Sequence, residues 1–337
     1  MIAFQVQDSV TEKTVDKILM LKNKPVYNIT QDVVLNADLL PGIMQKNACR
    51  ETFEKWTGTR YYSNTNASAR RMFGSAFRQR ERADDWSRAL TLTDCYWIKP
   101  SDIELSFEEI SPYFQHFWTG EGEYQKYKAA PTIYTDGFLS KYWIDSEWLL
   151  KSGETVHNEV ECARLAKLCG INVAEVVLHN ASDILVRNFT NCDVMLEQAI
   201  VTGGIFATDD WNDDDIIEQF GESGYKMLLI DAIFANGDRH AGNFGYLRNA
   251  NTGAYIGMAP LYDWDHALES DNLNDILIRD AVRMLIKYED WIEIAENIYN
   301  TIIDNSNEMN YVKRAQKIME LYNKQIETLN TGDGSNK

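Results

Sequence analysis

Asp238 and Asn243 stand on one polar loop, Asn236-Gly-Asp-Arg-His-Ala-Gly-Asn243, and Asp263 closes a later segment, Pro260-Leu-Tyr-Asp263. A carboxylate can orient and deprotonate an acceptor hydroxyl. Hard oxygen ligands suit Mg²⁺, which binds through one or two carboxylates together with phosphate oxygens and water. The order D-x-x-x-x-N followed by a later Asp matches phosphoryl transfer, with Asp238 as base and Asn243 and Asp263 as metal holders. A metal-dependent hydrolase could use the same residue types, so the loop alone does not separate the two chemistries. Arg239 could balance Asp238 and Asp263 or touch a phosphate, as electrostatic support in either case. His240 is a second candidate base; the expectation is a buried imidazole bonded to loop backbone. Asp265 could reach the metal through water.

These groups need elements to hold them. An apolar helical run, Met227 to Phe234, leads into the loop. Strands at Phe244–Leu247 and Tyr255–Ala259, joined by the turn Asn249-Ala-Asn-Thr-Gly253, form a hairpin that returns Asp263 to Asp238. Upstream, Tyr142–Ile144 and Glu147–Lys151 read as a hairpin around Asp145-Ser146. Alternation places Trp148 and Leu150 on one face and Leu149 and Lys151 on the other. A lysine ending an apolar strand needs an anion if it points inward; otherwise it snorkels to water. In the following helix Cys162, Leu165, Ala166 and Cys169 form the buried stripe, and Gly170 is the C-terminal cap. Glu159 and Glu161 flank that stripe on opposite edges. Asn158-x-x-Glu161 reads as a capping box, which leaves Glu159 for Lys151. Strands Val173–Leu178 and Asp183–Phe189 follow. At the Asp136-Gly137 turn, a residue without a Cβ lets backbone N–H groups approach phosphate, with Lys141 adding a point charge. An ordinary hairpin turn accounts for Gly137 equally well.

The strings GDRHAGNFGYL and APLYDWDHAL resemble the HipA-type serine/threonine kinases, including their CtkA-like branch, and GDRHAGN is also similar to the catalytic loop of phosphatidylinositol kinases. Gly137-Phe-Leu-Ser-Lys141 resembles the family's phosphate loop, Leu149-Leu-Lys151 its ATP-lysine strand, and Asn158 to Gly170 the helix after it. The resemblance runs, with gaps, from about Leu90 to Tyr288. It implies an α+β, two-lobed protein-kinase-like fold with an N-terminal extension and a mostly helical C-terminal lobe. It implies ATP and Mg²⁺ as cofactors and a protein substrate with a Ser/Thr acceptor. Lys151, held by Glu159, would fix the ATP phosphates, and Val186 to Phe189 would run into the hinge that meets adenine. A HipB-like antitoxin is a candidate partner. A nucleotide-binding pseudokinase acting as a toxin–antitoxin interaction module is one alternative, and a small-molecule or lipid kinase another. The chain departs from the common Asp-Phe-Gly in having Asp263-Trp-Asp265. Residues 266–278 would be the activation-loop equivalent, with Ser270 as a phosphorylatable hydroxyl.

Composition bounds this reading. With 337 residues, 45% hydrophobic, the chain can build real cores. Its 33 basic against 51 acidic residues give a net charge of −18, which disfavours direct binding to nucleic acid or an anionic membrane. Five scattered cysteines without a C-x-x-C pair suggest reduced thiols in a cytoplasm. No membrane-spanning run or signal-peptide pattern is evident, although secretion or delivery to a host cell by another route stays open. Residues 1–190 are expected to hold an N-terminal extension and a small ATP-binding lobe, kinase-like from about 131. Residues 191–330 form a helical catalytic lobe and 331–337 a frayed tail. The extension includes a helix over 47–60, an arginine-rich helix from Ser68 to Arg82 and a strand from Leu90 to Ile98. The aspartates of 209–215 lack the spacing of a Ca²⁺ loop and suit a helix N-terminus. Helices over Ile276–Ile286, Trp291–Asp304 and Tyr311–Leu329 complete the lobe.

Overall fold

The computed structural model describes residues 15–60, 88–119, 140–207, 211–268 and 271–331. Gly137, the Ser68–Arg82 stretch, Asp209, Ser270 and the tail beyond Thr331 lie outside the described residues.

The N-terminal part is an antiparallel sheet backed by short helices. Strands β1 (Lys17–Leu21), β2 (Lys24–Asn28), β3 (Val33–Val34) and β4 (Tyr96–Pro100) lie in the order β3-β2-β1-β4. Helices α1 (Gly42–Lys46) and α2 (Arg50–Gly58) bring Met44, Phe53 and Trp56 into a core with Leu19, Val26, Tyr27 and Trp97. The strand expected from Leu90 begins only at Tyr96. The preceding residues turn their carbonyls elsewhere: Leu92 O accepts from Asn188 Nδ2 at 3.1 Å, and Thr93 O from Leu196 N–H at 2.7 Å. Helix α3 (Phe107–Ile110) carries a reciprocal cap between Ser106 and Glu109, and α4 (Gln115–Thr119) follows.

A second antiparallel sheet has the order β5-β6-β8-β7, from β5 (Ser140–Trp143), β6 (Trp148–Ser152), β7 (Val176–Leu178) and β8 (Asp183–Arg187). Asp145 Oδ1 accepts the N–H groups of both Glu147 and Trp148, each at 2.8 Å, which closes the β5–β6 turn. The register sets Lys141 directly opposite Lys151. Helix α5 (Val156–Leu168) packs on this sheet through Val156 and ends where Gly170 takes a φ of +72°. It begins three residues earlier than the capping-box reading requires. Asn158 is thus already helical, its amide donates to Ala267 O at 3.2 Å, and Glu161 pairs with Arg164.

The third sheet has the order β11-β10-β9, from β9 (Val194–Gln198), β10 (Gly245–Asn249) and β11 (Tyr255–Met258). Between β9 and β10 run α6 (Asp213–Phe220) and α7 (Glu222–Phe234). Asn212 caps α6 by accepting Asp214 N–H at 2.9 Å, and Asp215 returns a bond to Asn212 N–H at 2.8 Å. The acidic stretch thus starts a helix, as its dipole favours. Helix α7 is apolar on nearly every side and buried accordingly, with α8 (Ile276–Lys287), α9 (Ile292–Asn305) and α10 (Met309–Asn330) packed around it. Among the described residues no helix is long and apolar enough to cross a membrane.

Candidate active site

Helix α7 delivers the central loop. It stops at Ala235, whose φ of 53° is left-handed and whose N–H donates to Asp231 O. Asp231, buried at the end of the helix, takes Asn236 Nδ2 at 2.9 Å, Trp264 Nε1 at 3.0 Å, and Arg239 through Nε at 2.8 Å and Nη2 at 3.0 Å. Arg239 Nη1 donates further to Asn243 O at 2.9 Å and Tyr262 O at 2.7 Å. One guanidinium therefore joins the helix end, the loop and the segment carrying Asp263. From the sequence, Arg239 could balance Asp238 and Asp263; its fork is filled by Asp231 and two carbonyls, and it acts on Asp263 through charge, without a hydrogen bond.

Asn243 Nδ2 donates to the Asp238 carbonyl at 3.0 Å and lies 3.5 Å from its carboxylate, so the loop residues five apart do meet. His240 differs from expectation. Its Nδ1 accepts Gly242 N–H at 3.0 Å, but the side chain is 60% exposed, because the buried space behind the loop is taken by Arg239. Its Nε2 lies 3.9 Å from Asp238 Oδ2, and His266 Nε2 lies 4.0 Å from the same oxygen.

From the facing sheet, Lys151 Nζ sits 2.8 Å from both carboxylate oxygens of Glu159 and 2.6 Å from Asp263 Oδ1. Lys141 Nζ is 3.5 Å from Asp263 Oδ2. Like charges opposite each other in a sheet repel unless an anion lies between them; Asp263 is that anion. Its own segment is fixed to the sheet lobe by Ala174 N–H to Leu261 O and Leu261 N–H to Asn172 O, each at 2.9 Å. Burial opposes ionisation of Asp263, but the charges of Lys151, Lys141 and Arg239 outweigh it and hold the carboxyl below its ordinary value. Burial likewise opposes the charge on Lys151; Asp263 and Glu159 reverse that and raise it. Glu159 is raised, chiefly by its complete burial, with Lys151 pulling the other way. Asp265 is raised by burial and then by neighbouring Asp263.

A cavity of about 550 Å³ opens between the sheet lobe and the loop, lined by Lys141, Lys151, Val186, Phe189, Asp238, Asn243, Asp263 and Asp265. The extension supplies more of its wall through Trp56, Arg60 and Asp94. Arg60 and Asp94 are paired at 2.5 Å and buried. No local pattern in the sequence pointed to these three. Asp231 was also missed, yet it had a signal: it is the one carboxylate inside the apolar run from Met227 to Phe234. As donors for a hard cation, Asn243 and Asp263 fit. The Asn243 nitrogen is engaged by Asp238, so the oxygen is the atom left to offer, and Asp263 is held ionised.

The model of the HipA-like C-terminal domain matches residues 125–328. The chain belongs to this HipA-like family. HipA of Shewanella oneidensis MR-1, solved with HipB and its operator DNA, aligns over 92% of this chain and 99% of its own at 12% identity and a TM-score of 0.51. The Helicobacter pylori proinflammatory kinase CtkA aligns over 58% of this chain and 93% of its own at 18% identity and a TM-score of 0.40. A comparison with curated proteins finds no match. The family and the likeness to HipA give the fold its class: α+β, two-lobed and protein-kinase-like, with an N-terminal extension and a mostly helical C-terminal lobe.

Proposed function

We propose that this HipA-like chain is an ATP- and Mg²⁺-dependent serine/threonine protein kinase. The observation that carries the reading is the meeting, in one cavity, of a lysine–glutamate pair from the sheet lobe with Asp263, Asn243 and Asp238 from the other side. Lys151, oriented by Glu159, would bind α/β-phosphate oxygens in place of its present contact with Asp263, and Lys141 would add charge at the same end. Val186 and Phe189 would pack against the base of the nucleotide, beside Tyr262, whose ring centroid is 5.7 Å from that of Phe189. Asn243 and Asp263 would hold Mg²⁺, which when bound neutralises charge on the phosphates.

Asp238 is 43% exposed, so an acceptor hydroxyl can reach it from solvent. It would orient that hydroxyl and take its proton as the new oxygen–γ-phosphorus bond forms and the bond to the β-phosphate oxygen breaks. Arg239 and His240 would shape the loop around Asp238. A HipB-like partner is proposed from the Shewanella assembly; the net charge of −18 favours leaving DNA contact to such a partner. Five free cysteines suit a reducing cytoplasm. The proposed units are an extension with an ATP-binding lobe through about residue 190 and a catalytic lobe from 191 to 330.

Calorimetric titration with ATP tests the nucleotide part. ATP with Mg²⁺ is expected to bind the parent chain, and Lys151→Met is expected to weaken it at least about tenfold, as loss of a charge-assisted phosphate contact implies. Equal affinity in the two proteins would count against the assignment.

A further inference from the structure

From the sequence, Asp265 is expected only to reach the metal through water. It is 5% exposed, lines the cavity, and among the described residues makes no hydrogen bond or ion pair. A buried charge in that position calls for a cation or a donor. The charges of Lys151, Lys141 and His266 reach it, but none of these groups is bonded to it. Asp238, Asp263, Asp265 and Glu159 stand against Lys141 and Lys151, and both lysines are directed at Asp263. Arg239 is committed to Asp231.

One donor atom each from Asp238, Asp265 and His266 falls within 4.8 Å of the other two. His266 Nε2 and Asp238 Oδ2 are 4.0 Å apart, too far for a hydrogen bond but a separation that one ion can span. Ligand bonds of about 2.0–2.2 Å place two donors up to about 4.4 Å apart across a metal, so small side-chain rotations would close the three onto it. We propose that Asp238, Asp265 and His266 form a divalent-cation site, separate from the Asn243–Asp263 pair, for an ion of the Mn²⁺ or Zn²⁺ kind. The imidazole sets the preference, since Mg²⁺ favours oxygen donors alone while borderline ions accept nitrogen. The site stands on its own geometry. Its consequence rests on the kinase reading: an ion here occupies the Asp238 carboxylate that the acceptor hydroxyl needs, and so restrains transfer.

The test uses the full chain and Mn²⁺ alone, without nucleotide, read by electron paramagnetic resonance. Bound Mn²⁺ should show spin-echo modulation from a coordinated ¹⁴N. His266→Ala and the bulkier His266→Gln should both lose that modulation, and His240→Ala should keep it. Asp265→Asn should weaken Mn²⁺ binding about tenfold or more, the scale at which metal sites respond to losing support. Absence of bound Mn²⁺, bound Mn²⁺ without nitrogen coupling, modulation that survives both His266 variants, or unchanged affinity in Asp265→Asn would each overturn the proposal. Because no nucleotide is present, failure of phosphoryl transfer leaves this outcome untouched, and the reverse also holds.

Discussion

Asp231 accepts four hydrogen bonds from three side chains while almost wholly buried, and the Asn236–Asn243 loop hangs from it. Removing one partner of a buried ion pair leaves the other charge uncompensated. Asp231→Ala is therefore expected to lower unfolding free energy by about 3–5 kcal/mol in urea denaturation, since Arg239 would lose its carboxylate. Asp238→Ala removes a half-exposed side chain with few partners and should change stability by no more than about 0.5 kcal/mol, the usual range for surface changes. A similar loss in both variants would mean that the loop is not braced in the way described. At this scale the sequence carried much of the information. Asp238 and Asn243 could be placed together from their spacing on one loop. The partner of Arg239 could not, because it lies one helix turn and a loop away, and Asp238 was nearer in the chain. The exposure of His240 depends on which neighbour wins the space behind the loop, and no residue type announces that.

Strand β9 completes the sheet that carries the loop, and Gly245 is where it is pressed against β10. A Cβ at Gly245 would overlap the backbone carbonyl of Glu197 and crowd Gln198 and Ala199. Gly245→Ala should cost about 1–3 kcal/mol, the range for overpacking, and shift the amide resonances of residues 243–247 and 196–199 together. A neutral substitution with shifts confined to residue 245 would contradict that close pairing. The β10–β11 hairpin was legible because alternating apolar residues flank a glycine-containing turn. Its third strand was not: Val194–Gln198 pairs across more than forty intervening residues, and strand pairing at that range leaves no local mark. The start of α5 was misplaced for a related reason. Asn158 and Glu161 have the capping-box pattern, but a tertiary contact to Ala267 and an i,i+3 pair with Arg164 use the two side chains instead.

Across the whole molecule, the backbone of the N-terminal extension is bonded to a buried ion pair within the hairpin sheet. Arg248 Nη1 meets Glu197 Oε2 at 2.5 Å and Leu40 O at 3.1 Å, while Glu197 also receives Gly42 N–H at 3.2 Å and Tyr255 Oη at 2.6 Å. Met195, Val201 and Ala250 add to the extension's own core, and Trp56, Arg60 and Asp94 help wall the cavity. Arg248→Met, which strands Glu197 in that junction, should destabilise by about 3–5 kcal/mol and expose residues 37–46 to hydrogen exchange. Unchanged exchange there would mean that the extension docks by other contacts. Sequence reading marked the extension as part of the lobe but had no means of seeing its role in the wall, since its contributions come from two separated segments. The most direct test of the central claim is intact mass after incubation with Mg²⁺, ATP and a lysate-derived protein mixture, the parent beside Asp238→Ala, with γ-labelled ATP tracing transfer to other proteins. The account predicts phosphate on serine or threonine, in the chain or in the mixture, from the parent and none from the variant. Equal transfer by both proteins, or none by the parent in either pool, would contradict it.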